Sequence, residues 1–145
     1  SKHADGLLLL SLLSGRNPDY LIGKHVNAAH RIKASKLKTI PTGYILVNGG
    51  NASTTQKITK TKALLSSKEV VNTAIAGELL GKQLIYLEAG SGAKKIVTPA
   101  LIIQVKKNIS IPLIIGGGID TVAKAKNILA TNPDYKNTTV NFRIK

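Results

Sequence analysis

Two glycine-rich tripeptides, Gly90-Ser91-Gly92 and Gly116-Gly117-Gly118, each follow a short apolar run. Glycine lets the backbone approach a ligand closely, and N–H groups exposed at the start of a following helix suit a phosphate. Ser91 adds a hydroxyl donor. Two such loops on successive apolar runs have the chemistry to grip one phosphate group, although each taken singly reads equally well as a tight strand-to-helix turn. Just before the first loop, Tyr86 and Glu88 alternate with Leu87, which on a strand places both side chains on one face. A carboxylate at that position can accept hydrogen bonds from substrate hydroxyls and take a proton from one. Without the adjacent glycines, pairing with one of the many lysines would be the ordinary reading of Glu88.

The other reactive residue types form no comparable constellation. The absence of cysteine excludes disulfides and thiolate metal sites and fits a cytoplasmic protein. His25 and His30 fall on different faces of one helix and His3 is remote, so no metal site is expected within the chain. Arg16 and Lys24 are placed either to reach a diphosphate or to be solvated charges at a helix end.

Four repeats of one pattern position these residues: an apolar strand, a polar or Gly-rich turn, then an amphipathic helix. Leu7 to Leu13 reads as a strand buried on both faces. Asn17-Pro18 supplies an N-cap and a first helical proline for a helix to about Ser35, with Leu21, Val26, Ala29 and Ile32 facing inward. Thr39 to Val47 is the second strand, followed by a long polar connection, Asn48 to Leu65, of the kind that often serves as a lid. Ser66 and Glu69 have capping-box spacing for a helix that Gly81 ends. Leu84 to Leu87 and Ile111 to Ile115 are strands three and four. Thr98-Pro99 opens the helix after the third, and Asp120 or Thr121 caps the helix after the fourth. The tail from about Thr131 to Lys145 shows no pattern.

Strands alternating with helices predict an α/β fold of parallel βαβ units, either an open doubly wound sheet or part of a barrel. A complete (β/α)8 barrel needs about 250 residues, so 145 hold little more than half of one. The chain is read as a single incomplete domain, 1–145. In a barrel, the glycine loops and Glu88 would lie at the C-terminal ends of the strands, where active sites are built.

The charge of +14 invites a nucleic-acid reading. Aromatic residues at 3%, with no Trp and one Phe, leave no stacking platform, and neither zinc-finger spacing nor an RNA-recognition motif is present, so no nucleic-acid partner is expected. No apolar run approaches the roughly 20 residues that span a bilayer. No signal peptide is expected.

The segment Tyr86-Leu87-Glu88-Ala89-Gly90-Ser91-Gly92-Ala93, with Ile111-Pro112-Leu113-Ile114-Ile115-Gly116-Gly117-Gly118-Ile119 downstream, resembles the glyceryl phosphate prenyltransferases, the geranylgeranylglyceryl and heptaprenylglyceryl phosphate synthases. Ser11-Leu12-Leu13-Ser14-Gly15-Arg16-Asn17-Pro18-Asp19-Tyr20-Leu21-Ile22-Gly23, Thr39-Ile40-Pro41-Thr42-Gly43-Tyr44 and Ala76-Gly77-Glu78-Leu79-Leu80-Gly81 are also similar to that family. The resemblance implies a TIM (β/α)8 barrel of which this chain supplies strands four to seven. It implies transfer of a prenyl group from a prenyl diphosphate to the 3-hydroxyl of sn-glycerol 1-phosphate in ether-lipid synthesis, with Mg2+ on the diphosphate. Tyr86, Leu87, Glu88, Ala89, Gly90, Ser91 and Gly92 would then hold the glycerol phosphate, with Glu88 catalytic on its hydroxyls and Gly116, Gly117 and Gly118 at the phosphate.

The sequence departs from that pattern in three places. The family's Asp-containing metal site has no counterpart here, its eighth strand is not visible near Asn132-Pro133-Asp134-Tyr135, and Lys57 to Leu65 replaces a stretch that the family normally rounds off with prolines. Another phosphate-binding barrel enzyme, or a truncated, non-catalytic phosphate-binding half-barrel, stays open as an alternative. An incomplete barrel is expected to self-associate, and peripheral membrane contact is expected as well.

Overall fold

The computed structural model describes residues 4–130 and 138–140. Five parallel strands form one sheet in chain order: β1 (Gly6–Leu12), β2 (Lys38–Leu46), β3 (Leu84–Glu88), β4 (Leu113–Gly116) and β5 (Thr138–Val140). The helices α1 (Lys24–Ala34), α2 (Thr54–Thr59), α3 (Ser67–Leu79), α4 (Pro99–Asn108) and α5 (Val122–Leu129) lie in the connections. The four strand–helix repeats read from the sequence are all present, with strand ends displaced by one or two residues. β5 is an addition, in a stretch where the sequence carries no apolar pattern. The rest of the tail, Asp134 and His3 lie outside the described residues.

Alternation along the strands separates two faces. Ile45, Ile85, Leu87, Leu113 and Ile115 pack with Val70, Ala74, Val97, Leu101, Ile102, Val105 and Ile128 into one buried cluster between sheet and helices. The parallel register aligns Leu12 with Tyr44, Tyr44 with Tyr86, and both Leu46 and Gly116 with Glu88. These residues therefore share the opposite, inner face.

Local rules account for most helix ends. Thr98 Oγ1 accepts the Leu101 N–H at 3.4 Å with Pro99 in the first turn, and Thr121 Oγ1 accepts the Lys124 N–H at 3.2 Å. Gly81, at φ +82°, takes the left-handed position just past α3, where only glycine is free of strain. Asn17 Oδ1 accepts the Asp19 N–H at 3.1 Å, but the chain then forms a π-helical turn, Asp19–Gly23, before α1 begins.

The Asn48–Leu65 connection carries a helix that its polar sequence did not signal, α2, opened by a capping box in which Ser53 Oγ accepts the Gln56 N–H at 3.2 Å and Gln56 Oε1 accepts the Ser53 N–H at 2.9 Å. Two expectations are corrected. Ser66 stands at the N-cap of α3 but its side chain makes no capping bond, so the box with Glu69 does not form. Finally, Leu7 to Leu13 is not covered on both faces. β1 pairs with β2 alone, Leu8 and Leu10 are 37% and 41% exposed, and α1 buries no residue, with Val26 65% exposed. The sequence correctly marks these side chains as apolar, but no described element covers them.

Candidate functional site

The C-terminal ends of β2, β3 and β4 bring the predicted site residues together. Glu88 closes β3 with its carboxylate buried, and Oε1 accepts the Gly90 N–H at 2.9 Å. Burial raises its pKa above the usual carboxylate range, while the Gly90 N–H and a hydrogen bond from the Tyr86 hydroxyl pull it back down. Gly116 lies beside it on β4. A Cβ there would come within 2.5 Å of Tyr86 Oη and 2.6 Å of Glu88 Oε2. Gly116 is therefore glycine because the carboxylate and the phenol occupy the space of a side chain.

The two glycine loops meet. Gly117, at φ +87°, would place a Cβ 2.5 Å from Gly90 N and 2.6 Å from Glu88 Oε1, and Gly116 O accepts the Ala89 N–H at 3.0 Å. Ser91 and Gly92 form the exposed tip of the first loop, and Gly92, at φ +70°, has nothing within 4 Å of its Cβ position. Gly117 is thus held by packing, whereas Gly92 faces open space. Leu87 and Ala89 belong to the helix-side core and contribute only backbone to this region. Gly118 sits against Ala93, and its carbonyl accepts from Lys124 Nζ at 3.1 Å while Lys124 also pairs with Asp120 at 2.8 Å.

Residues that sequence reasoning passed over complete the site. Tyr44 stacks edge-on against Tyr86 with ring centroids 5.2 Å apart and is hydrogen-bonded to Thr55 of α2. Burial first, and then the Glu88 charge, push its phenol well above the usual tyrosine range. With Leu10, Leu12, Tyr20, Thr55 and Thr59 it lines a cavity of about 220 Å3 on the inner face. Ser53 lies 2.7 Å from where a Gly90 Cβ would be, Asn51 Oδ1 accepts the Lys94 N–H at 3.0 Å, and Gly49 O accepts the Lys95 N–H at 2.9 Å. The long connection is therefore fastened onto the first glycine loop. The signal for Tyr44 was available: it has the same strand parity as Thr42, and parallel pairing sets it opposite Tyr86. Thr55 carried no such signal, because α2 itself was not foreseen.

The remaining candidates lie elsewhere. His25 Nε2 is 2.7 Å from the Leu10 carbonyl at the open edge of β1, Lys24 Nζ lies 5.6 Å from the Tyr20 ring centroid, and Arg16 lines a separate groove between the π-helical turn and α3. Lys82, its pKa lowered by burial, donates to Ser11 Oγ at 2.7 Å, and Glu78, its pKa lowered by hydrogen bonds from Ser110, accepts the Ser110 N–H at 2.9 Å. Both precede their strands, at the end of the sheet away from the glycine loops. Among the described residues no three His, Cys, Asp or Glu come together to hold a metal ion.

Comparison with known proteins agrees with this geometry. The model of the PcrB family matches residues 1–135. A geranylgeranylglyceryl phosphate synthase of Zunongwangia profunda is 48% identical over 136 residues, 92% of this chain and 58% of that protein. The synthase of the same name from Pyrococcus furiosus is 37% identical over 134 residues, 92% of this chain and 53% of its own length. The solved structure of that synthase from Thermoplasma acidophilum, in complex with its substrate sn-glycerol-1-phosphate, superposes with a TM-score of 0.87 at 31% identity, over 99% of this chain and 57% of that one. The chain spans little more than half the length of these relatives. With its family model matched along nearly the whole sequence, the chain belongs to the PcrB family.

Proposed function

We propose that this chain carries the glycerol phosphate site of a prenyltransferase that joins a prenyl diphosphate to the 3-hydroxyl of sn-glycerol 1-phosphate. The observation that carries the reading is the convergence of a buried carboxylate, Glu88, with two interlocked glycine loops at one end of a parallel sheet. Family membership and the names of the relatives support it.

In this reading the exposed backbone of Ser91 and Gly92, with Gly117 and Gly118 opposite, binds the phosphate, and Tyr86 and Glu88 hold the glycerol hydroxyls. The Glu88 carboxylate is held by the Gly90 N–H on Oε1 and by the Tyr86 hydroxyl, and its remaining lone pairs would accept from the attacking hydroxyl. As the carbon–oxygen bond to the prenyl group forms, the bond to the diphosphate breaks and the diphosphate leaves with its electron pair. The hydroxyl proton passes to Glu88, whose raised pKa makes it a stronger base than an exposed carboxylate. Positioning of the hydroxyl is the chain's main contribution.

The described residues do not fit a magnesium site, since no acidic cluster accompanies Glu88. A magnesium ion on the diphosphate would take its ligands from the part of the relatives that this chain does not span. In the same reading β1 to β4 correspond to strands four to seven of a (β/α)8 barrel, with β5 next in line.

Calorimetric titration of the chain with the two enantiomers tests the assignment. sn-Glycerol 1-phosphate should bind more tightly than sn-glycerol 3-phosphate, and Glu88→Gln should weaken binding of either enantiomer. Equal affinity for both refutes the substrate. Phosphate binding without preference for glycerol phosphate would instead support a non-catalytic anion site.

A further inference from the structure

The segment of 48–65 leaves the C-terminal end of β2 and returns to it: Leu64 N donates to Leu46 O at 2.9 Å and Asn48 N to Leu64 O at 3.1 Å. This closed excursion carries Lys57, Lys60 and Lys62 and no acidic residue. All three lysines are exposed, and none is in an ion pair, the described residues having only Lys124–Asp120. Between and beside them stand two large apolar side chains turned to solvent, Ile58 at 64% and Leu65 at 80% exposure. The adjoining loop adds exposed Lys94 and Lys95, which pack against Gly50 and Asn51 at the start of the excursion.

A solvent-facing lysine cluster with protruding isoleucine and leucine has a specific physical use. Lysines near an anionic leaflet each gain about 1 kcal/mol, equivalent to about fivefold in partitioning, and an apolar side chain entering the interface adds hydrophobic gain.

We propose that Lys57, Ile58, Lys60, Lys62 and Leu65, flanked by Lys94 and Lys95, form a docking surface for an anionic lipid bilayer. It lies at the strand ends that carry Glu88 and the glycine loops, so docking would turn that end of the sheet toward the membrane. The surface is argued from charge and exposure alone and does not depend on the assignment of substrate.

Co-sedimentation with vesicles of phosphatidylcholine, with and without phosphatidylserine, tests this. The chain should bind the anionic vesicles and release them at about 1 M salt, where the Debye length is about 3 Å. Lys57→Gln, Lys60→Gln and Lys62→Gln together should lower partitioning roughly 100-fold. The same number of charges removed from the last turns of α1, α4 and α5, at Lys33, Lys107 and Lys126, should change it little. Ile58→Ser with Leu65→Ser keeps every charge and should lower binding about tenfold, which provides a second reading should the lysine variant fold poorly. Equal binding to neutral and anionic vesicles, or equal losses from the two lysine sets, overturns the proposal. Tighter capture by duplex DNA with the same lysine dependence reassigns the surface to nucleic acid and overturns it too.

Discussion

Gly117 offers a direct measure of how tightly the two glycine loops are built. Replacing it by alanine has two costs. The left-handed backbone at φ +87° costs an L-residue roughly 1–2 kcal/mol. The new methyl would also meet Gly90 N at 2.5 Å, Glu88 Oε1 at 2.6 Å and Ala89 N at 2.7 Å, atoms of the backbone and of a buried, hydrogen-bonded carboxylate that have little room to move. Overpacking of this kind costs about 1–3 kcal/mol, so Gly117→Ala should destabilise by roughly 2–5 kcal/mol in all. Gly92→Ala is the matched control. It shares a positive φ, +70°, but meets nothing within 4 Å, so only the backbone cost of about 1–2 kcal/mol applies. At about 2–4 °C per kcal/mol for a chain of this size, Gly92→Ala should lower Tm by about 5 °C and Gly117→Ala by about 10 °C or more. Circular dichroism melts of the two variants decide the matter. The alanine at 117 should also push the Gly90 N–H away from Glu88 and raise the Glu88 pKa further, visible in side-chain carbon NMR. A Gly117 variant melting no lower than the Gly92 variant would refute the interlocked arrangement.

Further outcomes follow from the same structure. Because burial raises the folded-state pKa of Glu88 above its ordinary value of 4.5, its contribution to stability is present below that pH and is lost as pH rises through the raised value. Glu88→Gln should therefore match the parent chain in acid and exceed it at neutral pH, as read by melts across pH; a variant weaker at neutral pH would contradict the sign. Ser53→Ala removes the oxygen that caps α2 and should cost about 1 kcal/mol locally, seen as faster amide exchange over 54–60. With no acidic cluster among the described residues, the 145-residue chain should show no prenyl transfer with Mg2+ in a radiolabel assay, and turnover near that of the full-length relatives would disprove this. The chain should also self-associate at moderate salt, since β1 presents an open edge and exposed Leu8 and Leu10; light scattering from a cooperative monomer would count against it.

The sequence revealed what local physics decides. Largely apolar runs gave four of the five strands among the described residues, Thr98-Pro99 and Thr121 gave two helix starts, and Gly81 gave a stop, because each of these is set by neighbours within a turn. The capping box shows where that reasoning divides. Ser53 and Gln56 satisfy the same spacing rule as Ser66 and Glu69, yet only the first pair closes. Both N-cap residues have extended backbone, so local conformation does not separate them; Ser53 is buried against Gly90 of the neighbouring loop, whereas Ser66 is exposed. The site divides in the same way. Glu88 and the glycines were legible because unusual residue types cluster within a few positions. Tyr44 and Thr55 reach the same place from 44 and 33 residues upstream of Glu88, through strand register and an unforeseen helix.

The apolar pattern of β1 and α1 raises a different point. Periodicity reports which side chains are suited to burial, not whether anything buries them. Leu8, Leu10 and Leu12 lie on the inner face in register with Ile40, Thr42 and Tyr44, yet coverage falls from Leu12, which is buried, to Leu8 and Leu10, which are not. The difference is position along the strand. Leu12 lies near the π-helical turn and α2, which fold over the C-terminal end, where Tyr20 Oη donates to the Ile58 carbonyl at 3.4 Å. Nothing described lies over the other end. The part of the inner face that carries Glu88 and Tyr44 is thus roofed by this chain's own loops, while the part toward the strand starts stays open. That asymmetry leaves the pocket around Tyr44 formed within the described residues even though the other end of the inner face is uncovered. Under the proposed function, ligand binding is then separable from turnover: binding would depend on these loops, and turnover on acidic metal ligands that do not cluster among the described residues.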